Sequence, residues 1–276
     1  AAILMAVPPF GIVGWAHPVT AAGVLFPEWG WWGLAATAVI MLVAATRGWA
    51  GALAVLACLG GWSAVTWTEP LRPEGWIGLD LRRGSSLGRA SDLEQHWALI
   101  GMVRAASVGG ARVVVLPENA LGLWTPTVEE LWRSRLQGLD VTVVAGATVV
   151  RSDGYDNVLV AIDLDGAWGV HRQRMPVPVS MWQPWLAWIG EPGGARADLF
   201  GDAIAMVGGR RVAPLVCYEQ LLVWPVLQSM AHRSDLVVAI GNGWWTAGTN
   251  VAGIQKASSA AWARLFGLPL VVSFNL

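Results

Sequence analysis

The chain has 276 residues, a net charge of −1 and a charged fraction of only 13%, whereas soluble domains usually contain about 25% charged residues. A net charge near zero gives no indication of binding to a phosphate backbone, so we expect no nucleic-acid partner. Its two cysteines are too few for a disulfide framework. We also expect neither a metal ion nor an organic cofactor.

The apolar residues are concentrated in the N-terminal quarter, whose two charged side chains are Glu28 and Arg47. Residues 30–46 and 49–67 are uncharged, and each is about long enough to cross a bilayer core of ~30 Å. The pattern therefore predicts two transmembrane helices joined by a tight hairpin at Arg47. The alternative is two core helices of a soluble protein. Residues 1–26 are apolar but interrupted by prolines, which predicts a further span or a re-entrant segment.

A change of composition marks a boundary after these segments. Residues 68–75 are rich in proline and charge and predict a linker. We therefore expect transmembrane helices over residues 1–67 and a globular α/β domain over residues 76–276. The chain begins without methionine and stops inside an apolar, strand-like run, so we expect the domain to be truncated at its C-terminal end.

The first half of the globular part alternates short apolar runs with helical patterns. Strands are predicted at residues 76–81, 112–116, 141–150, 158–163 and 167–171. Helices are predicted at residues 91–108 and 128–139. Ser91 and Glu94 have the spacing of a capping box at the first helix, and Asp165-Gly166 predicts a hairpin between the last two strands.

The second half continues the alternation. Strands are predicted at residues 203–207, 211–216, 236–240 and 271–274, with a hairpin at Gly208-Gly209. Helices are predicted from Cys217 to about His232 and over residues 251–266. Alternating strands and helices with interspersed hairpins indicate a mixed sheet covered by helices.

Three polar residues stand where an apolar strand ends: Glu118, Cys217 and Asn242. Alone, Glu118 would be a solvent-facing carboxylate at a helix start, and Cys217 an inert buried thiol. Active sites of α/β sheets favour such strand ends, so three of them on successive strands favour one shared site. A carboxylate held beside a thiol in a poorly hydrated pocket can act as its general base.

The stretches VVVLPENAL, PLVCYEQ and AIGNGWW resemble the three signatures of the nitrilase (carbon–nitrogen hydrolase) superfamily. The resemblance covers residues 75–276 and implies an αββα sandwich. The branch most similar is apolipoprotein N-acyltransferase, which also has transmembrane helices before the nitrilase domain and a Cys-Tyr-Glu turn. The stretch RQRMPVPVSMWQPW and the overall layout resemble TraB-type conjugal transfer proteins of rhizobial and agrobacterial plasmids.

The resemblance implies roles for individual residues. Glu118 would be the general base, and Cys217 the nucleophile that forms a thioester acyl-enzyme. The backbone N–H of Tyr218 would bind the oxyanion, with Glu219 and Asn242 beside it at the substrate. The acyl group would pass to water or to an amine.

The family's catalytic lysine is missing. The only lysine, Lys256, follows the cysteine, whereas the family's lysine precedes a Val-Pro pair that here is Val177-Pro178. Counting back places Gln173 at that position, and a shift of one residue places Arg174 there. Arginine can stabilise an anion but does not shuttle a proton, and glutamine offers only hydrogen bonds.

Two classes of function follow. The retained cysteine and glutamate favour a membrane-anchored amidase or acyltransferase that acts on an acyl or amide substrate, which could be lipid-linked. The missing lysine favours a non-catalytic module of a conjugation or envelope machine. Trp182, Trp185 and Trp188 either pack in the core or form a loop that contacts lipid or covers an acyl pocket. The resemblance implies a multi-pass protein of the bacterial inner membrane with a periplasmic domain.

Overall fold

The computed structural model describes residues 4, 7–12, 14, 17–46, 48–84 and 93–276. Ser91 of the predicted capping box and Arg47 of the predicted hairpin lie outside these residues. Within the described residues, nine strands form two separate sheets.

The first sheet has five strands in sequence order. They are β1 (Trp76–Gly78), β2 (Val113–Val115), β3 (Thr142–Arg151), β4 (Gly154–Ile162) and β5 (Ala167–Arg172). The first three are parallel, while β3, β4 and β5 form an antiparallel meander. The predicted Asp165-Gly166 hairpin joins β4 to β5.

The second sheet has four strands, also in sequence order. They are β6 (Ala205–Val207), β7 (Arg210–Val216), β8 (Leu236–Asn242) and β9 (Leu270–Asn275). The hairpin at Gly208-Gly209 makes β6 and β7 antiparallel, whereas β7, β8 and β9 are parallel.

Four helices cover the outer faces of the two sheets. They are α4 (Leu93–Val108) and α5 (Pro126–Leu136) on the first sheet, and α6 (Val223–Ala231) and α7 (Val251–Leu265) on the second. Alternate side chains of β2 face different layers of the fold. Val113 and Val115 pack against the second sheet, while Val114 packs beneath α4 and α5. The globular part is therefore a helix–sheet–sheet–helix sandwich, as predicted.

Three more helices precede the sandwich: α1 (Ala22–Leu25), α2 (Gly30–Ala44) and α3 (Trp49–Thr66). The first of them packs tightly on α7, where Ala22 and Phe26 are buried with Trp262. Of the described helices, α3 alone is long and apolar enough to cross a bilayer, with 18 residues and a mean hydropathy of 1.5. The 15-residue α2 is shorter, so two transmembrane helices are not confirmed.

Two predicted boundaries were wrong. The expected helix from Cys217 to His232 is a 3-10 turn, Cys217–Leu221, followed by α6, because Leu222 is extended between them. The fourth strand begins at Gly154 rather than Val158, since a two-residue turn, Ser152-Asp153, closes a long β3–β4 hairpin in which Gly154 pairs with Arg151.

Candidate active site

One cavity of about 500 Å³ lies where the strands of both sheets end. Glu118 follows β2, Cys217 follows β7, and Asn242 ends β8. All three line this cavity, so the structure brings the three predicted strand-end residues together. Twelve described residues line it: Glu118, Asn119, Thr148, Tyr155, Asn157, Val177, Ser180, Met181, Cys217, Asn242, Trp244 and Trp245.

Cys217 occupies a sharp turn between a strand and a helical segment. Its φ is +50°, a left-handed conformation that costs a non-glycine residue about 1–3 kcal/mol. Glu219 supports the turn, because its carboxylate accepts the backbone N–H of Val216 at 2.8 Å. The Gln220 amide also donates to the carbonyl of Ile240 in β8 at 2.8 Å. The thiol is therefore fixed by contacts on both sides of the turn.

Glu118 is buried directly beside the thiol. Its carboxylate accepts hydrogen bonds from Cys217, from the backbone of Asn242 and, at 2.7 Å, from the Asn157 amide. Gly146 allows this approach, because a Cβ there would lie 2.5 Å from the Glu118 Cα. The cysteine and the carboxylate thus form a close pair within the cavity.

Burial changes how both groups titrate. It raises the pKa of Glu118 above its ordinary value of 4.5, although the hydrogen bonds from Cys217, Asn157 and Asn242 oppose the shift. Burial, together with the charge of Glu118, raises the pKa of the Cys217 thiol well above 9.0. The resting pair is therefore a neutral thiol that can pass its proton to the carboxylate during attack.

Neutral amides surround this pair. The Asn157 amide donates both to Glu118 and, at 3.0 Å, to the side-chain oxygen of Gln173. The Gln173 amide in turn donates to the carbonyl of Val216 at 3.0 Å. A short chain of hydrogen bonds therefore runs from the carboxylate to the residue before the nucleophile. On the other side, the Gln255 amide lies 3.9 Å from the Cys217 sulfur.

Comparisons with known proteins show which family the chain belongs to. The sequence profile of the family described as "Carbon-nitrogen hydrolase" matches residues 125–264, about half of the chain. This chain belongs to the carbon–nitrogen hydrolase family. The match includes Gln173 and Cys217, and Glu118 lies just before it.

Two relatives are similar over the whole chain. They are "Probable conjugal transfer protein TraB" from Sinorhizobium fredii, 55% identical, and "Conjugal transfer protein TraB" from Agrobacterium fabrum, 54% identical, each over 275 residues. The match covers 71% of the first relative and 65% of the second. The chain thus spans about two thirds of their length, and the predicted resemblance to the TraB-type proteins is confirmed.

Solved structures of an amidase from Nesterenkonia, described as a member of the nitrilase superfamily, are also similar. Two of them have TM-scores of 0.49 and sequence identities of 18% and 17%. They cover 75% and 74% of this chain, and 79% and 78% of the amidase chain.

Arg174 does not reach the cavity of this carbon–nitrogen hydrolase. Its guanidinium is fully buried on the far side of the turn, 3.3 Å from Glu219, and donates to the carbonyls of Pro214 and Pro225. Gln173, its neighbour, contacts Asn157 instead. Of the two predicted alternatives for the lysine position, the structure places Gln173 beside Asn157 and the Cys217–Glu118 pair, and Arg174 outside the cavity.

Glu219 forms an ion pair under the turn and does not line the cavity. Burial alone would raise its pKa, but the charge of Arg174, the nearby His171 ring and the Val216 N–H lower it to about 2. The His171 Nε2 lies 3.6 Å from the carboxylate. Glu219 therefore stays ionised and anchors the turn, which differs from the predicted place at the substrate.

The remaining predicted residues lie around the turn. The Tyr218 N–H hydrogen-bonds the Cys217 thiol, and its hydroxyl accepts the N–H of Gly14 at 2.9 Å. Trp182 packs against the buried cluster that contains Tyr218. Trp185 is 37% exposed in the 3-10 helix Pro184–Ile189. Neither tryptophan is among the described residues that line the cavity.

Several site residues were missed in the sequence. Asn157 and Tyr155 lie on the first residues of β4, which the predicted strand omitted. The Asp-Gly pair at residues 153–154 was the available signal, because this dipeptide is common in hairpins, although the turn itself is Ser152-Asp153. Trp244 and Trp245 belong to the AIGNGWW motif but were not assigned to the site. Gln255 lies on α7 and carried no local signal.

Proposed function

We propose that the chain is a membrane-anchored amidase or acyltransferase that acts through a thioester on Cys217. One observation carries this proposal: the buried Glu118 carboxylate lies in hydrogen-bonding contact with a neutral thiol that is held in a left-handed turn. A buried structural cysteine needs neither a basic partner nor a strained backbone. Both features are expected of a nucleophile.

The proposed reaction follows from this pair. As the Cys217 sulfur attacks the carbonyl carbon, its proton passes to ionised Glu118. The carbonyl oxygen becomes an oxyanion, which the N–H of Tyr218 can bind. Collapse of the intermediate breaks the C–N bond, and Glu118 returns the proton to the leaving amine. Water or an acceptor amine then attacks the thioester and loses its own proton to Glu118, and the thiol leaves with that proton.

In this proposal the residue at the position of the family's lysine is the uncharged Gln173. Asn157 orients Glu118 by a hydrogen bond, Gln173 holds Asn157 in turn, and neither supplies a cation. The carboxylate therefore keeps a raised pKa and remains a stronger base than one beside an ammonium group. Arg174 serves the turn through Glu219.

The setting of the enzyme is also proposed. The names of the two relatives support a role in plasmid conjugation, with conjugation proteins as partners. The exposed apolar surface of α3 supports a transmembrane region over residues 1–67, followed by a linker at residues 68–75 and the catalytic domain. The acyltransferase resemblance supports an inner-membrane location, a periplasmic domain and a lipid-linked substrate.

One observation favours a second function, that of a non-catalytic module in the same machine. The position of the family's lysine holds a neutral amide, Gln173, that is engaged in structural hydrogen bonds. If Gln173 cannot replace the lysine, the sandwich would serve as a binding surface only.

A plasmid transfer assay separates the two functions. Variants Cys217→Ala and Glu118→Gln of the full-length protein should each lose activity, and Cys58→Ala should keep it, because Cys58 is exposed on α3. Transfer at the normal frequency with normal amounts of the Cys217→Ala protein would rule out the enzyme and support the module.

A further inference from the structure

Several polar groups of the cavity wall are already engaged in hydrogen bonds. The Thr148 hydroxyl donates to the Asn119 side-chain oxygen at 3.1 Å, and the Asn242 side-chain oxygen accepts the Asn275 amide at 2.8 Å. The Asn157 amide donates to Glu118 and Gln173. Few of these groups are free to recognise polar substituents far from the reacting carbonyl.

Apolar side chains from both sheets supply the remaining wall. Val177 and Met181 come from the loop after β5, and Trp244 and Trp245 from the 3-10 helix after β8. Trp245 is 54% exposed at the rim. Two indoles, a branched chain and a thioether offer a large surface for carbon chains and adaptable packing.

Charge in the cavity disfavours an anionic ligand. Glu118 must be ionised to accept the thiol proton, so its negative charge lies beside the reacting carbonyl during catalysis. A carboxylate elsewhere on the substrate would face this charge and would lose water against the apolar wall. An uncharged carbon chain has neither cost.

We propose that the cavity selects an uncharged amide whose acyl group is an apolar chain, seated against Val177, Met181, Trp244 and Trp245. This inference rests on the proposed function for the identity of the reacting group. The selection itself is a binding property, and it can be measured without turnover.

The test compares two amides with the same carbon skeleton. Hexanamide and the monoamide of adipic acid differ only in a terminal carboxylate. Bound to the full chain carrying Cys217→Ala, hexanamide should bind at least about tenfold more tightly in calorimetry. From acetamide to hexanamide, affinity should rise about fourfold per methylene group. Equal affinity, tighter binding of the anion, or no binding of either amide would overturn the proposal.

A second measurement uses the unsubstituted protein, in case Cys217→Ala does not fold. Hexanamide should slow alkylation of Cys217 at concentrations at which the acidic monoamide does not. Trp245→Ala should weaken hexanamide protection, while Trp188→Ala should not, because this indole is 88% exposed and lies outside the described lining. Equal effects of both substitutions would contradict the proposed seat.

These measurements distinguish a failure of the substrate preference from a failure of the proposed enzymatic function. Selective binding of hexanamide without any hydrolysis or acyl transfer would leave the substrate preference standing and remove the enzyme. Turnover of the acidic monoamide as fast as hexanamide would retain the enzyme and overturn the preference.

Discussion

Cys217 and Glu118 are both buried and lie in contact with each other at the strand ends. Because burial raises the pKa of both groups, neither is charged as readily as it would be in water. A thiol of this kind reacts slowly on its own. Its nucleophilicity depends on transfer of the proton to Glu118 at the moment of attack.

The pH dependence of the reaction follows from this pair. Activity requires ionised Glu118, whose pKa is raised above 4.5. The rate should therefore fall as the pH drops through this raised pKa, at a higher pH than for an ordinary glutamate. The measurement is kcat/KM for an amide against pH. Glu118→Gln should lower kcat by about 100-fold or more, and an acid limb at or below pH 4.5 would contradict the burial effect.

Gln173 and Arg174 can be told apart by placing a lysine at each position. Gln173→Lys puts an ammonium group near Glu118, which should lower the carboxyl pKa and move the acid limb of the rate profile to lower pH. Arg174→Lys should leave the limb in place, because that side chain points to Glu219. A shift caused by Arg174→Lys alone would reverse the assignment.

The sequence could not choose between these two neighbours. Adjacent residues of an extended chain point to opposite sides. An error of one residue in locating the lysine position therefore moves the predicted side chain from the cavity to the far side of the turn. Counting back from Val177-Pro178 locates the lysine position only to within one residue. Glu118 and Cys217 were easier to assign, because each directly follows an unmistakable apolar strand.

At the level of elements, the Arg174–Glu219 ion pair joins the end of β5 to the catalytic turn and to α6. Both side chains are fully buried, and Arg174 also donates to Gln228 and Ser229 of that helix. Removing one member leaves the other as an uncompensated buried charge, which is costly.

Arg174→Ala should therefore destabilise the protein by about 3–5 kcal/mol, which lowers the melting temperature by roughly 10 °C. Arg112→Ala is the matched control, since its ion pair with Asp140 is exposed and contributes about 0–1 kcal/mol. Both are measured by thermal unfolding of the purified chain. Similar melting temperatures for the two variants would contradict the structural role.

The same pair gives the stability a pH dependence. The folded-state pKa of Glu219 is about 2, below the unfolded value of about 4.3. Its contribution is therefore present above pH ~4.3 and is lost as the pH falls towards 2.

Most elements were predictable, because strands and hairpins have strong local signals such as Asp165-Gly166 and Gly208-Gly209. The start of β4 was not, since Tyr155, Asp156 and Asn157 are more polar than a typical strand. The break at Leu222 was also missed. This break follows a turn held by the tertiary contacts of Glu219 and Gln220, and the spacing of apolar residues in the sequence does not predict such contacts.

At the level of the whole molecule, the sandwich is joined to an apolar helical region that it covers only in part. Only 11% of α3 is buried, and Leu53, Trp62 and Val65 are 55%, 71% and 86% exposed. Such a surface is costly in water and favourable in lipid. This supports the proposed membrane anchor.

The anchor can be tested by fractionation of cells. The chain should remain with membranes after a carbonate wash. Ala57→Asp should reduce that retention, because Ala57 lies at the centre of α3, where an aspartate in a span costs about 2.5–3.5 kcal/mol. Leu71→Asp, in the segment after α3, should not. Recovery of the unsubstituted protein in the soluble fraction without detergent would contradict the anchor.

The central claim is that Cys217 becomes acylated with Glu118 as its base. Its most direct test is mass spectrometry of the intact protein, quenched in acid shortly after mixing with hexanamide. The account predicts a mass increase of one acyl group on the peptide containing Cys217, absent in Cys217→Ala and strongly reduced in Glu118→Gln. An unmodified Cys217, in protein that hydrolyses or transfers the acyl group at the normal rate, would contradict it.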